Sequence, residues 1–165
     1  MYLLARIEET AFSTWIRESG WGFFTSLTLH SLALALVVGI NLATNFRLLG
    51  VAKGIPIRLM GRFLPLMWFA LVVVVISGTA LLIAYPAKAL TNILFYLKIS
   101  AIIAALMITR HFSRTLFNEA VTGEVAVDYR VKTLAAIALI LWISSIGAGR
   151  FLAYTNSILL ASSFY

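Results

Sequence analysis

FFTSLTLHSLALALVVGINL, residues Phe23–Leu42, runs without one formal charge, yet it carries a histidine at position 30. A helix rises 1.5 Å per residue, so about 20 apolar residues cross the hydrocarbon of a bilayer. The stretch sits inside Ser19–Phe46, which is uncharged throughout. Lipid offers backbone amides no water to bond, so a spanning segment is either a helix or part of a closed barrel. A run of this length is a membrane helix, and the imidazole within it is the residue that needs explaining.

Composition supports the same class. Of 165 residues, 62% are hydrophobic and 12% charged, against about 45–50% and 25% in soluble domains. The net charge of +7 does not indicate nucleic acid, because the basic residues cluster between apolar runs rather than on a water-exposed face. The chain has no cysteine, which excludes disulfides, thiolate metal sites, iron–sulfur clusters and covalent c-type haem. The start, MYLLARIEETAFSTWIRESG, lacks the long apolar core and cleavage site of a secretory signal, so no segment is expected to be removed.

Three further runs are long enough to span, around FALVVVVISGTALLIAY, LTNILFYLKISAIIAALMITRHF and TLAAIALILWISSIGAGRFLAY. The expected spans are about 22–45, 63–85, 90–111 and 132–154. Thr10–Ser19, with Trp15 and mixed charges, reads as an interfacial helix before the first span. Gly61–Pro65 is expected to open the second span, since proline is tolerated in a first turn. The fold class is therefore all-α: one integral membrane four-helix bundle with a short N-terminal interfacial helix.

Short-loop lysine and arginine set the orientation. The connection Arg47–Arg62 holds four basic residues and no acid, and Arg110–Lys132 again holds four. The opposite side has Lys88 and, beside three glutamates, Arg6 and Arg17. Both termini are expected outside the cytoplasm, in the periplasm of a bacterium whose inner membrane holds the protein. Trp21, Tyr85, Tyr154 and Tyr165 suit the outer headgroup belt.

Ionisable groups inside a span are costly and so mark candidate sites. His30 lies about 12 Å and Lys98 about 10 Å below the outer boundary at 1.5 Å per residue. Arg150 sits one turn below the exit of the fourth span, so these three share the outer half. His111 is 13 residues beyond Lys98, roughly 20 Å deeper. One haem iron needs both axial imidazoles at one level, and helix tilt does not absorb such a mismatch. His30 and His111 are therefore excluded as one iron's ligand pair.

His30 has two readings: a structural imidazole bonding a neighbouring helix through Thr28, Ser31 or Ser77, or a metal or cofactor ligand. Lys98 either snorkels outward or faces a buried anionic partner such as a propionate or lipid phosphate. Arg150 either anchors the interface or pairs bidentately with an anionic cofactor group. His111 reads as a boundary residue or as part of a second cofactor site. Gly39, Gly78, Gly147 and Gly149 permit close helix approach or packing of a flat macrocycle. Asn41 and Asn45 are either interhelical glue or members of a second polar cluster with His111.

WIRESGWGFFTSLTLHSLALALVVGINLATNFRLLGVA, LKISAIIAALMITRHF and GAGRFLAY together resemble an uncharacterised family of small bacterial four-helix membrane proteins. The match rests on Arg17, Glu18, Ser19, His30, Arg47 to Gly50, Lys98, His111, Gly149, Arg150, Ala153 and Tyr154. Leu27 and Asn45 stand where that family often has acidic residues. A first-span histidine with a third-span lysine is also distantly similar to haem-binding membrane protoporphyrinogen oxidases and copper-resistance membrane domains. That similarity implies a porphyrin or metal near His30.

The expected function is a b-type haem-binding membrane protein in electron transfer, with His30 as axial ligand and Lys98 and Arg150 facing propionates. A second haem or a quinone near His111 is a further expectation. Partners are the bilayer, a periplasmic redox protein or larger membrane complex, and a second copy of the chain; nucleic acid is not one. The alternative is a non-catalytic anchor or scaffold subunit. A permease fits poorly, because four spans with few acidic or sulfur ligands offer little path unless the protein oligomerises.

Overall fold

Ser19 ends one helix and starts the next. Its backbone N–H donates to Trp15 O at 3.0 Å, and its hydroxyl accepts from Gly22 N–H at 2.9 Å, so one residue satisfies orphan groups at two helix ends. The computed structural model describes residues 6–119 and 127–162. Among them are six helices and no strand: α1 (Ala11–Glu18), α2 (Gly20–Leu49), α3 (Ile57–Ala84), α4 (Pro86–Leu90), α5 (Ile93–Glu119) and α6 (Tyr129–Ser162).

Four of these are long and apolar enough to cross a membrane: Gly20–Leu49, Ile57–Ala84, Ile93–Phe117 and Tyr129–Leu152. Their outward faces carry large apolar side chains such as Phe24, Leu32, Phe69, Ile76, Ile140 and Ile143. Exposed apolar surface on this scale belongs against lipid, and the protein is a multi-pass membrane protein of all-α class.

The second span opens earlier than Gly61–Pro65. Pro56 is the N-cap of α3, and Pro65 stands inside the helix. Two local contacts draw the start back: Ile57 packs on Leu48 and Phe112, and Gly61 lies against the Phe117 ring. Arg58 and Arg62 consequently belong to the helix, and the connecting loop shrinks to Gly50–Pro56. Gly50 closes α2 in the left-handed region (φ 98°), and its N–H donates to Arg47 O at 3.1 Å while Val51 N–H reaches Phe46 O. Glycine adopts that conformation without the steric cost of a Cβ. Arg47 then folds over the loop, donating to the carbonyls of Ile55 and Lys53.

α2 packs along α3, α5 packs along α6, and the two hairpins meet through α2 and α6; α3 and α5 touch little. The seam is filled by Ala33, Val37, Leu64, Met67, Ala70, Ala105 and Trp142. Below it, Leu48, Phe112, Leu116 and Ala135 form a second cluster toward the basic loops. Trp142 is fully buried, and its Nε1–H finds no acceptor among the described residues.

α1 lies across the far end, where α3 turns into α4. Ser13 and Ile16 are buried, whereas Phe12 and Trp15 are exposed and stacked at 6.4 Å. Ser13 donates to Ile83 O at 2.9 Å, and the Glu8 carboxylate accepts from Ala87 N–H at 3.4 Å. Trp21 is 82% exposed, and Tyr85 meets Phe23 edge-on. Tyr165 and the side chain of Tyr154 lie outside the described residues.

Candidate functional site

His30 faces α3. Its Nδ1 lies 3.1 Å from Ser77 Oγ. Ser77 has one hydroxyl proton, and it goes to Val73 O at 2.6 Å. A hydroxyl proton so placed leaves the Ser77 oxygen able to accept Nδ1–H. A neutral imidazole protonated at Nδ1 carries its lone pair on Nε2. Gly78 supplies the room: a Cβ there would stand 3.0 Å from His30 Cε1 and 3.4 Å from Nδ1.

Lys98 comes from the other hairpin. Its side chain lies on Gly149, with Nζ 3.5 Å from where a Cβ would be, and its ammonium is near enough for its charge to act on His30. The sequence has no Asp or Glu between Glu18 and Glu119, nor from Tyr129 to Tyr165. Lys98 therefore has no carboxylate at its own depth in any span. Arg150 follows Gly149 but is exposed, about 100° around the helix from the glycine under Lys98.

His30 and Lys98 thus stand together across the hairpin seam, with Arg150 at its edge. His111 stands apart, exposed near the basic loops, and lines an open groove of about 270 Å³ with Met107, Ile108 and Leu134. It does not meet Asn41. Asn41 Oδ1 accepts from Thr109 at 2.5 Å, and Asn41 Nδ2 donates to Val37 O. Asn45 is buried beside them. The buried polar cluster of that half is an Asn–Thr clasp rather than a histidine site, because His111 lies about 200° around α5 from Thr109.

The glycines divide as well. Gly78 and Gly149 sit under His30 and Lys98, whereas a Cβ at Gly39 or Gly147 would meet nothing within 4 Å. Those two are therefore not close-approach sites. The sequence offers Ser77 only as one of three candidate partners for His30. The choice depends on helix rotation between α2 and α3, which an all-round apolar α3 does not reveal.

The helices, with half-buried His30 and Lys98 in one half of the bundle, define a class: small multi-pass helical membrane proteins with polar side chains inside their spans. The chain belongs to DUF6644, a family of unknown function, whose model matches residues 5–155. No curated protein and no solved structure matches it.

Proposed function

We propose that this protein is a b-type haem-binding electron-transfer protein of the bacterial inner membrane, with His30 Nε2 as the axial ligand. The observation that carries the reading is the fate of the Ser77 proton. With the Ser77 hydroxyl 2.6 Å from Val73 O, its oxygen is free to receive Nδ1–H of His30 at 3.1 Å, and a ligating histidine characteristically donates its other ring N–H in this way. The second support is Lys98, a span-embedded ammonium with no acidic residue at its depth. It suits a propionate, and Arg150 at the seam's edge suits another.

Haem, when bound, supplies one-electron chemistry. The residues that would hold it are His30 through Nε2, Ser77 setting the ring's tautomer, Gly78 leaving space for the imidazole and Lys98 opposite an acidic group. His111 is not a second ligand of that iron, being 13 residues past Lys98 on one helix, roughly 20 Å. In this reading the basic loops face the cytoplasm and the site lies toward the periplasm, supported by the excess of lysine and arginine in those loops. The redox partner is then a periplasmic protein or a quinone.

The test is the visible spectrum of protein purified in mild detergent after expression with ample haem, oxidised and reduced. A Soret band that His30→Ala abolishes supports the reading. A colourless protein that co-purifies with another polypeptide replaces it with the scaffold role. A Soret band that His30→Ala leaves unchanged removes His30 as ligand.

A further inference from the structure

The groove at the other end of α5 is unrelated to His30. It is lined by Met107, Ile108, His111 and Leu134. Met107 is 68% exposed, so the groove opens on the outside of the bundle, where lipid lies. Asn41 pairs with Thr109, and among the described residues no hydrogen bond joins it to His111.

Beyond its rim the groove runs into positive charge. α5 and α6 are antiparallel and pack along each other. On α5, positions 107, 111 and 114 fall within about 60° of one face. On α6, position 130 lies one turn from Leu134 on the same face. Residues at one level on the two helices have nearly constant index sums: His111 with Leu134 gives 245, and Arg114 with Arg130 gives 244. One turn from the groove toward the basic loops, the helix pair thus carries Arg114 and Arg130 at one level, one on each helix. Arg114 and Arg130 are both exposed, and both stand at the boundary where α5 and α6 leave their apolar stretches.

An apolar trough that ends in an imidazole and two guanidiniums at the membrane boundary fits an amphiphile with an anionic head. We infer that the α5–α6 groove binds an anionic phospholipid, one acyl chain lying along Met107, Ile108 and Leu134 and the phosphate held by His111, Arg114 and Arg130. Guanidinium suits a phosphate because its fork donates two parallel hydrogen bonds. A quinone, in contrast, would leave both arginines without a counter-charge.

The experiment uses full-length protein, delipidated in mild detergent and titrated with phosphatidylglycerol or phosphatidylcholine, with bound lipid counted by native mass spectrometry. Phosphatidylglycerol is expected to bind about tenfold or more tighter than phosphatidylcholine. Both carry the phosphodiester, but choline adds a fixed cation that His111, Arg114 and Arg130 leave without a counter-charge, and the loss of about one charge-assisted contact's worth is a decade. Arg114→Gln with Arg130→Gln should remove that preference. Met107→Trp should weaken both lipids by filling the trough. Lys132→Gln removes the same charge about 200° around α6 from Leu134 and should change nothing. Equal binding of the two lipids, an equal loss in Lys132→Gln, or quinone co-purifying in place of phospholipid would overturn the inference. All four positions are exposed, and a melting curve of each variant reports that the bundle is intact. The haem reading stands or falls separately, on the spectrum.

Discussion

Thr109 donates to Asn41 Oδ1 across 2.5 Å, and the 68 positions between them are also the separation of His30 and Lys98 (98 − 30 = 68). α2 and α5 run in the same direction, so equal separations mean equal depth. The clasp therefore fixes the register that sets His30 level with Lys98, 11 residues or about 16 Å away along both helices.

The clasp should be asymmetric under mutation. Thr109→Val leaves Asn41 Oδ1 buried without a donor, which costs about 1–3 kcal/mol. Asn41→Leu is cheaper, because Thr109 already reaches Ala105 O at 3.0 Å and loses no buried bond. Chemical unfolding in mixed micelles measures both, and a larger loss in Asn41→Leu would contradict the assignment.

Histidine-labelled protein should show His30 with Nδ1 protonated and Nε2 bare in nitrogen NMR, before any cofactor is added. Ser77→Ala should shift that tautomer balance, and Ser77→Thr should restore it. A Nε2-protonated ring in the unmodified protein would remove the metal-ready state.

Lys98→Met should act in opposite directions on the empty and the loaded protein. Removing a span-embedded charge without a carboxylate partner should raise the melting temperature of the empty bundle, since an unpaired cation is costly there. The same change should weaken binding of an anionic cofactor by about tenfold, the worth of one charge-assisted bond. Thermal melts with and without haemin check both signs together. A lower melting temperature for the empty Lys98→Met protein would mean that the chain already supplies the counter-charge.

Two glycines in one helix and its cap should respond oppositely to alanine. Gly39→Ala meets nothing within 4 Å and should stabilise α2 by about 0.5–1 kcal/mol through propensity alone. Gly50→Ala must hold φ near 98° and should cost about 1–2 kcal/mol. Comparing their melting temperatures tests the C-cap.

The helices and the depth order were legible because hydropathy, charge breaks and 1.5 Å per residue are all one-dimensional. Rotation about each axis was not. α3 is apolar on every side, so nothing in its sequence says that Ser77 rather than Thr79 faces α2. Asn41 was open for a related reason: a buried asparagine meets whichever neighbour the packing turns toward it, and Thr109 carries no charge to announce itself. Pro65 misleads as punctuation, because Pro56 has already opened the helix and Gly61 and Ile57 have packing partners to hold the added turns.

The bond from Ser13 to Ile83 O joins residues 70 positions apart and bears on how the chain is made. Its acceptor belongs to the last turn of α3, among the carbonyls that a helix leaves unsatisfied. That carbonyl reaches α1 only after the polypeptide has crossed the bilayer and returned. The bond can thus close only once the first two segments have threaded in opposite senses.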